Sequence, residues 1–159
     1  MREIKFRCWI DYGPGHCTML YDRGNLSEFF DAADGSPTMQ YTGLKDATKW
    51  EDLTEEERKK WVEAGNLPSQ WNGKEIYEGD ILAWAGDWCR QDKEERHVVK
   101  FGFHSTSDDY YASVAYGFYM EREDLKVDTT HSGEYFDKCE VIGNIYENPE
   151  LLEEKNEKT

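Results

Sequence analysis

Four cysteines and four histidines are the side chains in this sequence best suited to metal or nucleophilic chemistry. His16 and Cys17 are adjacent, and Cys8 could reach them across a hairpin. A structural zinc site needs four ligands in closed geometry. Here the remaining donors, Cys89, Cys139, His97, His104 and His131, lie far away in sequence, and no Cys-x-x-Cys pair occurs. A nucleophilic cysteine needs a lowered pKa and an orienting acid, and nothing local supplies either. The cysteines read as small buried or half-buried residues.

Carboxylates are abundant: 34 of 159 residues are Asp or Glu. At that density "SDDYY", "MERED" and the trio Glu75, Glu78 and Asp80 are expected clusters. None has calcium-loop spacing or a paired motif on a firm helix. They read as solvated faces and turns. The run "DDYYASVAYGFYMERED" could stack nucleobases through Tyr110, Tyr111, Tyr116, Phe118 and Tyr119, but such platforms are paired with basic tracks. Here Asp108, Asp109, Glu121, Glu123 and Asp124 flank it. Core packing plus a protein-binding patch, with Tyr110 and Tyr111 among its contacts, fits better. The net charge of -15 repels phosphate and anionic lipid. Direct nucleic-acid binding is disfavoured, and no catalytic residue, cofactor site or metal ligand is assigned.

The elements that position these groups are mostly strands. At 159 residues, 38% hydrophobic and 14% aromatic, the chain suits one folded domain with room for an insertion. "EIKFRCWI" alternates, with Ile4, Phe6, Cys8 and Ile10 on one face and Lys5, Arg7 and Trp9 on the other. "DYGPG" stops it. Short strands follow at Cys17 to Tyr21 and Met39 to Tyr41, with a polar loop containing "DRGN" and "DGSP" between them. "HVVKFGF", "ASVAYGFYM" and "CEVIGNIY" return to period two, as in a small barrel or sandwich. The longest wholly apolar run, "ILAWA", is too short to span a membrane. The N-terminus lacks a secretory pattern, and free thiols suit a reducing cytoplasm.

One helix is expected. Thr54 and Glu57 form a capping box, acids fill the first turn, Gly65 stops the helix and Pro68 lies beyond. Its apolar face is thin, so it must dock, with Trp50, Trp61 and Trp71 as candidate contacts.

The stretch "NGKEIYEGDIL" reads as a backbone device. Asn72-Gly73 signals a tight turn. Glu75 to Tyr77 is a short strand, and Gly79 can take a positive φ at no Cβ cost. Asp80 can accept from a nearby backbone N–H as the strand from Ile81 begins.

Three segments, "MREIKFRCWI", "MQYTGLKD" joined to "NGKEIYEGDIL", and "EVIGNIYENPELL", together resemble the YopX family of phage and prophage proteins. The resemblance implies a mainly β fold with an SH3-like barrel in its C-terminal part, and no known enzymatic activity or catalytic residues to carry over. Family members run almost directly from "GLKD" into "NGKEIYEGDI"; here Ala47 to Trp71 intervenes. The expected organisation is therefore an N-terminal β segment (1–46), a helical insertion (47–71), an SH3-like barrel (72–150) and a charged tail (151–159). The expected function is that of a non-catalytic phage or prophage accessory protein in the host cytoplasm. It would self-associate and bind a host or phage protein, without cofactor, metal or membrane. The rival expectation is a nucleic-acid-linked protein, either a weak binder or an acidic mimic occupying the DNA-binding face of a host protein.

Overall fold

Alternating apolar residues produce strands throughout the chain, and two antiparallel sheets hold them. The structure is a computed structural model that describes residues 3–85, 95–105, 114–122 and 130–153. Its strands are β1 (Phe6–Asp11), β2 (Cys17–Tyr21), β3 (Thr38–Lys45), β4 (Glu75–Tyr77), β5 (Asp80–Trp84), β6 (His97–Ser105), β7 (Val114–Arg122), β8 (Thr130–Ser132) and β9 (Cys139–Asn144). The first sheet has the order β2-β1-β3-β4 and the second β8-β7-β6-β5-β9. The protein is mainly β, with two α-helices, α1 (Leu26–Ala33) and α2 (Glu55–Glu63).

The helix α1 replaces the expected polar loop. Asn25 caps it by accepting from the Glu28 backbone N–H, and Asp34 ends it in the left-handed region at φ 39°. Leu26, Phe29, Phe30 and Ala33 follow helical spacing. Phe29 and Ala33 pack with Cys8 and Ile10 of β1 into a small core, which Phe6 and Leu20 flank. The expected face of β1 is thus covered by a helix, although Ile4 is exposed.

The opposite face of β1 is also covered. Arg7 is buried there, and Trp9 stacks on Tyr146 at 6.1 Å. A strand of alternating charged and apolar residues reads as half-buried because charge normally seeks water. Arg7 escapes that rule because a carboxylate from the other sheet meets it.

The larger core joins Ile76 of β4 to Leu82, Val99, Met120, Phe136 and Cys139, with Trp84, Phe118, Tyr135 and Val141 packed around it. Segment 72–84 therefore supplies a strand to each sheet and a side chain from the first to the core of the second. Phe136 comes from a 3-10 segment, Gly133–Lys138, and is wholly buried. A further 3-10 turn at Pro149–Leu152 follows β9. No helix among the described residues is long and apolar enough to cross a membrane.

Candidate functional site

The links between the sheets and the segment from Ala47 to Trp71 build the polar centre of the molecule. Gly79 takes φ +81°, and its N–H donates to Val99 O at 2.8 Å while its carbonyl accepts from Ile145 N at 3.0 Å. A Cβ there would stand 3.3 Å from Met39 Sδ and 3.5 Å from Ile145. The next residue, Asp80, accepts from Tyr77 N at 2.7 Å through Oδ2 and from Arg7 Nη2 at 2.6 Å through Oδ1. Arg7 lies 4.7 Å over the Tyr77 ring. Asp80 and Arg7 are 1% and 4% exposed, so the ion pair ties β1 to β5 inside the protein. Burial drives the Asp80 carboxyl up to about 6, against the opposing pull of the Arg7 charge and the Tyr77 N–H.

Asp46 forms a second junction. Its Oδ1 accepts from Thr48 N at 3.0 Å and Lys74 N at 2.7 Å. Its Oδ2 accepts from Thr48 Oγ1 at 2.6 Å and Val141 N at 2.8 Å. Asp46 N donates in turn to Lys74 O at 3.0 Å, and Ala47 N to Cys139 O at 2.7 Å. The segment from Ala47 to Trp71 therefore leaves and returns through a closed neck fastened to β9. Gly73 makes the neck possible: it takes φ +104°, and a Cβ there would fall 2.2 Å from Asp46 O. Asn72 and Gly73 lie in irregular backbone. The glycine serves close approach to Asp46 rather than a hairpin.

Within the segment, Thr54 and Glu57 make both bonds of the capping box. Trp71 sits between Trp50 and Trp61, with ring centroids 6.2 and 5.0 Å away. The indole N–H of Trp71 donates to Thr48 O at 2.8 Å, and that of Trp61 to Leu67 O at 2.9 Å. The three tryptophans are half-buried, leaving Val62 and Leu67 as the segment's exposed large hydrophobic side chains.

A cleft of about 470 Å³ opens where the two sheets meet this segment. Its walls include Tyr21, Glu57, Trp71, Glu75, Tyr77 and Glu147. Glu75 is held by Lys5 at 2.6 Å, Lys45 at 3.3 Å and the Tyr77 hydroxyl at 2.9 Å. Burial pushes its pKa up, but these bonds and charges outweigh it and hold the carboxyl below its ordinary value. Burial, reinforced by Glu75, pushes the Tyr77 hydroxyl far up.

A second surface is aromatic. One face of the β6–β7 pair runs from the core outward through Val99 opposite Met120, Phe101 opposite Phe118, and Phe103 opposite Tyr116. The first pair is buried, whereas Phe101, Phe103 and Tyr116 are 41%, 75% and 62% exposed. Phe103 and Tyr116 are 4.7 Å apart, and Phe101 and Phe118 also 4.7 Å. Tyr110 and Tyr111 lie outside the described residues.

The structure does not bring the Cys-His candidates together. Cys8 pairs with Leu20 and Cys17 with Asp11, at different points along the β1–β2 ladder. Burial pushes the Cys139 thiol up to about 12, the reverse of an activated nucleophile. Among the described residues, no group of three or more His, Cys, Asp or Glu side chains is placed to hold a metal ion. Arg7, Asp46, Tyr21 and Glu147 were not singled out from sequence. Arg7 and Asp46 meet partners 73 and 95 residues away, and Tyr21 and Glu147 come together only at the cleft, so no local pattern marks them.

Comparison with known proteins identifies the C-terminal half. No curated protein matches the chain. A crystal structure of protein EF1440 from Enterococcus faecalis is similar at 24% identity, covering 96% of this chain and 100% of that one, with a TM-score of 0.40. The family model described as "YopX protein" matches residues 70–153. That range takes in β4 through β9, more than half of the 159 residues, and on this match the chain belongs to the YopX family.

Proposed function

We propose that the chain is a non-catalytic accessory protein of a phage or integrated prophage that acts in the host cytoplasm by self-association and protein binding. The β5–β9 sheet serves as its SH3-type unit, and the inserted segment shapes a surface beside it. The observation that carries this reading is the exposed aromatic ladder of Phe101, Phe103 and Tyr116. Three neighbouring aromatics in water, continuous with a core, are the composition of an interface rather than of a solvated face.

Light scattering across micromolar to millimolar concentrations tests it. The wild-type chain is expected as a dimer or larger, and Phe103→Ser should shift it towards the monomer without lowering stability. A wild-type chain that stays monomeric throughout this range would sink the self-association reading.

A further inference from the structure

We propose that the cleft between the two sheets and the inserted segment binds an arginine or lysine side chain presented by a short stretch of a partner polypeptide. Aromatic rings and carboxylates wall the cleft together: Tyr21, Trp71 and Tyr77 with Glu57, Glu75 and Glu147. A cation is attracted both to ring faces and to carboxylates. The charge balance favours the same ligand. Four carboxylates and two cations line the cleft, and both cations are already neutralised in place, Arg7 by Asp80 at 2.6 Å and Lys74 by Glu57 at 2.8 Å. Lys5 and Lys45, which hold Glu75, are not among the lining residues.

Glu147, exposed at the cleft, takes a hydrogen bond from Asn144 Nδ2 and has no cationic partner among the described residues. An incoming cation thus meets an uncompensated carboxylate and no uncompensated positive charge. An anion would be repelled by that same carboxylate and would find both cations already paired. The cleft wall already holds one guanidinium in this manner, since Arg7 lies over Tyr77 while pairing with a carboxylate. The volume of about 470 Å³ admits more than one side chain, and the net charge of -15 draws a basic partner from a distance.

The proposal rests on protein binding but not on self-association, so the light-scattering result and the following one stand or fall separately. The isotope-labelled chain is titrated with acetyl-Gly-Arg-Gly-amide, acetyl-Gly-Lys-Gly-amide and the neutral acetyl-Gly-citrulline-Gly-amide. The Trp71 indole and Gly143 amide resonances report binding. Both charged peptides should shift these signals, with the citrulline peptide at least about tenfold weaker. Glu147→Gln and Tyr21→Leu should each weaken the charged peptides about threefold or more. Glu63→Gln, which removes an exposed carboxylate of α2 paired with Lys59, should leave them unchanged. Unchanged resonances in the β5–β6 core confirm that each variant is folded. The assignment is overturned if the cleft resonances do not move, if citrulline binds equally, or if Glu63→Gln weakens binding as much as Glu147→Gln, which would indicate diffuse attraction to an acidic chain.

Discussion

Replacing Asp46 with alanine should cost this protein a large share of its stability. The carboxylate accepts from Thr48 N, Lys74 N, Val141 N and Thr48 Oγ1, all between 2.6 and 3.0 Å. Alanine leaves four donors without their acceptor. A buried donor stranded in this way costs roughly 1–3 kcal/mol. Lys74 and Val141 are half-buried, so water re-satisfies part of the loss, and about 4 kcal/mol is the working figure. Against a typical total of about 5–15 kcal/mol and a urea dependence of about 2 kcal/mol/M, the midpoint should fall by about 2 M. Asp46→Asn retains one carbonyl oxygen but turns an amide group towards donors, so it should fall between alanine and wild type. Urea unfolding followed by tryptophan fluorescence measures both. With residues 47–71 replaced by a Gly-Ser linker, the donors of Thr48 are gone, and Asp46→Ala should cost about half as much. If Asp46→Ala unfolds within about 1 kcal/mol of wild type, the junction is not the fastening inferred from its geometry.

Gly73→Ala should destabilise more than Gly79→Ala, because its Cβ would strike the Asp46 carbonyl oxygen at 2.2 Å whereas that of Gly79 meets the movable Met39 sulfur at 3.3 Å. Strain at the positive φ alone predicts about 1–3 kcal/mol for Gly79, and thermal melting that ranks the two in the opposite order refutes the neck geometry. Asp80 is held near 6 against an ordinary 3.8, so the folded state binds its proton more tightly than the unfolded chain. The stability of wild type relative to Asp80→Asn should therefore rise as pH falls from about 7 to about 4, by up to about 3 kcal/mol; a flat or opposite trend in urea titrations counts against it. Cys17 is exposed while Cys8 and Cys139 are buried, so in a Cys89→Ser background one thiol should react with a disulfide reagent under native conditions. The Asp11 carboxylate, hydrogen-bonded to Cys17 at 3.3 Å, raises that thiol's pKa, and Asp11→Asn should speed its reaction at pH 8; an unchanged rate removes the cause. Replacing residues 47–71 by a Gly-Ser linker should leave a folded β protein, because Asp46 and Lys74 are bonded directly to each other; loss of the β circular-dichroism signal would place the segment in the core.

What the sequence revealed follows the range of the interactions. The helix α2 was legible because Thr54 and Glu57 are three residues apart and complete their box without outside help. The strands were legible because burial on one face imposes period two. The helix α1 carried a comparable signal in Asn25 and Glu28, but its short apolar run sits among Asp, Gly and Ser residues that read as loop. The ion pair of Arg7 with Asp80 spans 73 residues and the bond from Val141 to Asp46 spans 95. No local pattern encodes such meetings. The cleft inherits this: its tyrosines, tryptophan and carboxylates come from β2, β4, β5, the segment from Ala47 to Trp71 and the turn after β9, and only the fold assembles them.

The neck at Asp46 and Lys74 has a consequence for how such a chain can change. Its two strands of backbone stand side by side, so the ends of whatever lies between them are already closed. For a flexible connection, doubling its length would cost only about 0.6 kcal/mol, a small loss if the fastening survives. Neighbouring exit and entry points of this kind accept foreign sequence without disturbing their host. A chain built this way can exchange the segment between Asp46 and Lys74 for another and acquire a new cleft wall while both sheets stay as they are. A protein engineer could graft a reporter or a binding loop at the same place.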